Sequence, residues 1–179
     1  MVPLAEASGA ADIIAVMPVV IRPLEPDDAA ACGAIIASLP YHFGLEEGRR
    51  ECAAAVRSQS GLVAESDNEV IGFLTVETRF EEAAEITWIA VHAERRHGGV
   101  GRALIDRLVS DLVAGGRRLL LVLTVSPNDP PDEVPDGYQA TRAFYASNGF
   151  VLARDFAGYW GEHDLPVLMV RVLHPTRSR

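Results

Sequence analysis

Six consecutive residues, Arg96-His97-Gly98-Gly99-Val100-Gly101, constrain this chain more than any other stretch. They stand between two segments of different periodicity. Upstream, Ile86-Thr87-Trp88-Ile89-Ala90-Val91 is an apolar run rich in β-branched residues and reads as a strand. Downstream, Val100 to Ala114 places Leu104, Ile105, Leu108, Val109, Leu112 and Val113 on one helical stripe, and Gly115-Gly116 ends it. A strand that turns through glycines into a helix start is built to hold an anion. The helix start leaves backbone N–H groups without partners, the helix dipole adds partial positive charge, and the missing side chains let the anion approach.

The glycine spacing sorts the phosphate sites. A dinucleotide turn needs G-x-G-x-x-G and an acidic residue about 20 positions on, and Gly98, Gly99 and Gly101 do not fit that pattern. A Walker A loop needs a lysine, and all 16 basic residues of this chain are arginine. The lack of lysine also excludes Schiff-base chemistry through that side chain. With a formal net charge of −9, the chain is a poor match for nucleic acid, whose binding rests on phosphate neutralisation. Arg95, Arg96 and Arg102 nevertheless gather positive charge at the turn.

Periodicity elsewhere gives the order βααβββαβαββ. Val19 to Pro23 is a strand. Asp27 and Asp28 open a helix whose apolar stripe is Cys32, Ile35, Ile36 and Leu39, and Pro40 stops it. A second helix covers about Glu46 to Ser58. Strands follow at Gly61–Glu65, Val70–Thr78 and Ala84–Val91, the first two joined by the turn Ser66-Asp67-Asn68 and the last two by Phe80-Glu81-Glu82. Leu119 to Leu123 is an unbroken apolar run, expected to be covered on both faces. Ser126 to Gly137 is a Pro- and Asp-rich loop, Tyr138 to Ser147 a helix, and Phe150–Asp155 and Val167–Val172 the last strands. Cys32 and Cys52 read as buried small hydrophobes, with no disulfide framework and no metal site. One domain over 18–174 is expected, between a loose N-terminal tail (1–17) and a short C-terminal one (175–179). No secretory leader and no membrane span is expected, which points to the cytoplasm.

Two motifs in this order resemble a known family. Arg96-x-x-Gly99-x-Gly101 is similar to the R/Q-x-x-G-x-G/A signature of the GNAT superfamily of acyl-CoA-dependent N-acetyltransferases, and Phe144-Tyr145-Ala146-Ser147-Asn148-Gly149-Phe150 resembles its F/L-Y-x-x-x-G-F element. The resemblance covers roughly residues 19–173. It implies an α/β (α+β) fold with a mixed central sheet of six to seven strands, about four flanking helices, and fourth and fifth strands that splay apart. It implies acetyl-CoA (CoA) as cofactor. Its pyrophosphate would lie on Arg96, His97, Gly98, Gly99, Val100, Gly101 and Arg102, and its pantetheine would pair with the main chain of Ile89, Ala90 and Val91.

The implied reaction is attack of an amine on a thioester. A lysine-like amine has a pKa near 10.4, so at pH 7 only about one in 2,500 is neutral, equivalent to roughly 4.6 kcal/mol of barrier. A general base is therefore useful. Glu85 is the first candidate, and Glu77, Glu81 and Glu82 are alternatives. Strict strand alternation would put Glu85, Thr87, Ile89 and Val91 on one face and Ile86, Trp88 and Ala90 on the other. By resemblance Tyr145 is the general acid that protonates the departing sulfur. Many family members carry an asparagine about seven residues before this tyrosine. Here that place is Tyr138, and Thr141 and Arg142 are candidates to replace its contact.

Acceptors in the family range from small amines to peptides, and the acceptor site draws on the first interhelical loop and the last strands. Tyr41, His42, Phe43 and Trp160 are the aromatic candidates here, and Asp129, Asp132 and Glu133 favour a cationic amine by steering. The partner is thus a small-molecule or peptide amine, with no nucleic acid or membrane, and a homodimer is compatible with the resemblance. A non-catalytic acyl-CoA sensor is the alternative, since fold alone does not fix activity.

Overall fold

The computed structural model describes residues 18–40, 46–129, 137–160 and 165–174. Among them lie seven strands and four α-helices: β1 (Val20–Pro23), α1 (Ala29–Ala37), α2 (Glu46–Ser58), β2 (Ser60–Ser66), β3 (Glu69–Phe80), β4 (Ala83–Val91), α3 (Val100–Ala114), β5 (Leu119–Val125), α4 (Gln139–Ser147), β6 (Val151–Asp155) and β7 (Pro166–Val172). The strands form one sheet in the order β1-β2-β3-β4-β5-β7-β6. Every neighbouring pair is antiparallel except β4 and β5. This is the mixed α/β sheet that the element order and the resemblance imply.

The sheet separates two cores. On one face α3 and Tyr145 of α4 pack on Leu62, Leu74, Ala84, Ile86, Leu120, Val122 and Met169. On the other, α1 and α2 bring Cys32, Ile35, Cys52 and Val56 onto Val63, Phe73 and Ala90. Both cysteines are free and fully buried, and burial pushes each thiol up to about 12. They are packing residues, as their positions on apolar stripes suggest.

Three sequence expectations need correction. First, β3 runs through Phe80, so only Glu81 and Glu82 join it to β4. Second, β5 is not covered equally on both faces. Leu120 and Val122 are buried under α3, whereas Leu119, Leu121 and Leu123 stay half-buried, because α1 and α2 lie over the other half of the sheet. Third, β4 does not alternate strictly. Thr75 pairs with Trp88 and Val76 with Ile86, which leaves Thr87 as an extra residue in a β-bulge. One inserted residue reverses the parity of everything after it. Ile86, Ile89 and Val91 therefore face the α3 core, and Trp88 and Ala90 face the α1–α2 core. Glu85 shares the face of Trp88 and Ala90, opposite to Ile89 and Val91.

Tyr41, His42 and Phe43, the acidic positions Asp132 and Glu133, and both tails lie outside the described residues. Among the described residues, no helix is long and apolar enough to cross a membrane.

Candidate active site

A wedge opens in the middle of the sheet. β4 and β5 pair over four positions only, from Ala83↔Leu119 to Ile86↔Val122. Past Ile86, β4 stays with β3 as far as Gly72↔Val91, while β5 stays with β7 as far as Val125↔Pro166. The bulge at Thr87 falls where the two part. Bulges bend and twist the strand that carries them, which is a physical reason for the separation at this point. The main chain of Ile89, Ala90 and Val91 borders the gap. Strand edges without a partner are open to pairing by an added extended chain.

The glycine turn stands at the open end of β4. A short 3₁₀ turn, Ala93–Arg95, leads to Arg96 in an extended conformation, and His97 then adopts a left-handed one at φ 65°. Gly99 is the N-cap of α3 at φ 81°, a conformation that favours glycine. No side chain caps the helix, and the first intrahelical bond runs from Ala103 N–H to the Gly99 carbonyl at 3.0 Å. The N–H groups of Val100, Gly101 and Arg102 therefore have no intrahelical partner. The three glycines do not serve one purpose. Gly99 supplies the left-handed backbone, whereas a Cβ on Gly101 would lie 3.0 Å from the Phe144 ring, so Gly101 allows α3 to close on α4. Val100 is buried and offers the turn only its backbone. Arg102 is exposed and pairs loosely with Asp106 at 3.6 Å, a surface contact worth little. The structure thus brings Arg96 to Arg102 together on one turn, as the motif implies.

Glu85 sits at the closed end of the wedge, with Glu77 opposite it on β3 and Leu121 beside it on β5. Two carboxylates facing each other across a strand pair repel. Arg79 resolves this. Its Nε donates to Glu85 Oε2 at 2.6 Å and its Nη1 lies 2.5 Å from Glu77 Oε2. Glu85, more than Glu77, holds the guanidinium more firmly protonated than usual. Glu77 Oε1 accepts from Gln59 Nε2 at 2.8 Å, and Gln59 Oε1 accepts from the Thr87 hydroxyl at 2.5 Å, which in turn lies 2.7 Å from the Thr75 hydroxyl. A polar chain therefore runs from Glu85 through Arg79, Glu77 and Gln59 to the bulge. Sequence reading missed Arg79 and Gln59. Arg79 was accessible to it, since period two puts residues 77 and 79 of a strand on one face. Gln59 was not, because it reaches the network from the end of α2.

The same geometry sorts the four acids. Both Glu77 oxygens are engaged. Glu82 is exposed and pairs with Arg118 at 3.4 Å, and Glu81 is exposed at the β3–β4 turn. Glu85 keeps Oε1 outside the described hydrogen bonds, with a side chain 16% exposed.

Tyr145 lies on the opposite face. It is 5% exposed, with its ring 5.3 Å from Phe144 and 5.5 Å from Phe150. Burial pushes its phenol above the ordinary range, so it stays protonated at neutral pH. The sheet lies between Tyr145 and Glu85, and the wedge opens through it. Arg142, one turn before Tyr145, donates from Nη1 to the Val125 carbonyl at 3.0 Å and ties α4 to the end of β5. Beyond β5, Asp155 accepts from Ser126 Oγ at 2.7 Å and Asn128 Nδ2 at 2.9 Å, and Asp129 Oδ1 accepts from Leu165 N–H at 2.7 Å. Of the acceptor candidates, Trp160 is described and is 42% exposed.

No curated protein sequence matches the chain. Solved structures do, at identities that speak to the fold alone. A protein from Desulfovibrio desulfuricans assigned to the GNAT family is 23% identical, with a TM-score of 0.74 over 88% of this chain and 100% of its own. Ard1 from Thermoplasma volcanium is 22% identical, with a TM-score of 0.69 over 87% and 98%. The ribosomal-protein-S18-alanine N-acetyltransferase from Escherichia coli is 19% identical, with a TM-score of 0.69 over 90% and 98%. A family model of the acetyltransferase (GNAT) domain matches residues 57–152, from the last turn of α2 to the start of β6. That is more than half of the chain and holds the bulge, the wedge, the glycine turn and Tyr145, so this protein belongs to the GNAT acetyltransferase family.

Proposed function

We propose that this protein transfers the acetyl group of acetyl-CoA to a primary amine. The observation that carries this reading is the wedge between β4 and β5, which opens beside an uncapped helix start. An extended chain ending in an anionic group fits both parts. The free N–H groups of Val100, Gly101 and Arg102, with Arg96, would hold the pyrophosphate, and Ile89 to Val91 would pair with the pantetheine. Solved structures of yncA from Salmonella typhimurium, with its cofactor acetyl-CoA, and of an aminoglycoside 6'-N-acetyltransferase, with coenzyme A, share this fold and support that assignment.

Acetyl-CoA supplies an acetyl thioester. Glu85 takes one proton of the incoming ammonium, directly or through water, so that the nitrogen lone pair can form the C–N bond, and the bonded nitrogen sheds its second proton to water as the C–S bond breaks. Tyr145 gives a proton to the departing sulfur from the other side of the wedge, and solvent returns both residues to their starting states. Glu85 outranks Glu77, Glu81 and Glu82 because one of its oxygens is held and the other is left for the substrate.

The acceptor is a cationic amine on this reading, given the net charge and the Glu77 and Glu85 carboxylates at the wedge. Incubation with acetyl-CoA and a panel of spermidine, kanamycin and a lysine peptide, read by free thiol and product mass, tests it. Thiol release with a product heavier by one acetyl group is the expected result. Tight CoA binding with no acetylated product from any amine would instead leave an acyl-CoA-binding module. Reaction restricted to neutral or acidic acceptors would remove the steering argument.

A further inference from the structure

The Glu77 and Glu85 carboxylates face each other across β3 and β4, and like charges in that relation destabilise a sheet. One residue on the Glu77 side of the pair holds both. Arg79 meets Glu85 Oε2 through Nε and Glu77 Oε2 through Nη1, so a single rigid guanidinium fork fixes the two carboxylates relative to each other. Glu77 cannot swing, because its second oxygen is held by Gln59, which is itself bonded to Thr87 in the bulge. The fork is thus anchored to the place where the wedge begins.

We infer that Arg79 is a positioning residue for the transfer reaction: anchored through Glu77 and Gln59, it holds one oxygen of Glu85 and turns the other toward the acceptor amine. The inference rests on the reading of Glu85 as the base. The groups that the described contacts bring to Glu85 are Glu77 and Arg79 of β3. The residue after α2 is the neutral Gln59, and β5 contributes the apolar Leu121. Arg79 is therefore the only cation among them, and without it no described contact fixes Glu85 Oε2, so the carboxylate is free to turn away from the amine.

The test is the split between kcat and KM for Arg79→Met and Arg79→Lys, with acetyl-CoA and the first amine of the panel to react. For Arg79→Met kcat is expected to fall at least ten-fold, while the KM for acetyl-CoA is unchanged. Arg79→Lys keeps the charge but not the fork, and its kcat is expected to lie between those of Met and native. It also keeps the inference open to refutation should Arg79→Met fail to fold. A kcat within three-fold of native in Arg79→Met, or in Arg79→Lys should the first not fold, would overturn the inference and leave the base intact. If Glu85→Gln is as active as native at every pH, or if no amine reacts, the base itself falls and takes the inference with it.

Discussion

The two ends of the wedge are built from different materials. At the open end, the proposed anion site is made of backbone: uncapped N–H groups of α3 and a left-handed Gly99. At the closed end, the proposed proton-handling site is made of side chains, with Glu85, Arg79, Glu77, Gln59 and Thr87 linked by hydrogen bonds. Backbone donors cannot be altered by most substitutions, so only residues that change local conformation disturb the open end. A side-chain network fails one member at a time. Changes at the closed end should therefore act on turnover, and changes at the open end on affinity.

Glu85→Gln is the strongest attempt to break this division. It should lower kcat by about 10²- to 10⁴-fold with the affinity for acetyl-CoA nearly unchanged, as steady-state kinetics with calorimetry would register. A parallel loss of affinity would show that the two ends are not separable. Tyr145→Phe should slow turnover on the order of a hundred-fold, again with CoA affinity preserved. The ring stays in the core, so an unaltered rate would mark Tyr145 as packing alone. Gly99→Ala tests the other end. It strains a left-handed backbone by about 1–2 kcal/mol, and weaker CoA binding at nearly constant kcat is the expected pattern.

How much of this was legible without coordinates differs along the same line. The glycine turn was readable, because residue type there dictates backbone geometry directly. The element order was readable for the same kind of reason, since apolar periodicity follows from which faces are buried. The face of Glu85 was not. Thr87 has the composition of an ordinary strand residue, and only the pairing of Thr75 with Trp88 and of Val76 with Ile86 reveals that it is extra. Strict alternation carried past that point puts Ile89 and Val91 on the wrong side. The half-buried leucines of β5 were missed because coverage of a sheet face depends on where helices end. Gln59 joins residues far apart in sequence, and no local pattern encodes that.

A smaller effect serves as a control outside both ends. Asp28 is almost buried, and Arg22 grips it with Nη1 and Nη2 at 2.8 Å each, while the Glu25 N–H donates to it at 2.9 Å. The Arg22 hydrogen bonds hold the Asp28 carboxyl below the usual carboxylate range, against the opposing pull of burial. Its folded value is depressed, so its contribution to stability is present above the ordinary aspartate value of about 3.9 and is lost as pH falls through the folded one. Asp28→Asn should cost about 1–3 kcal/mol at neutral pH and flatten acid unfolding in that window, with kcat unchanged. A change in kcat would mean that β1 communicates with the wedge.

The short parallel contact between β4 and β5 has a mechanical consequence. Four residue pairs join the half-sheet β1–β4 to the half-sheet β5–β7. With acetyl-CoA paired to Ile89–Val91 of β4, as proposed, the ligand fills the opening between the two halves. Mass action then adds about 2.7 kcal/mol of stability at a concentration 100 times its dissociation constant. Such a protein would outlast its empty form in a cell well supplied with acyl donor, so its abundance would track the supply of the molecule it consumes.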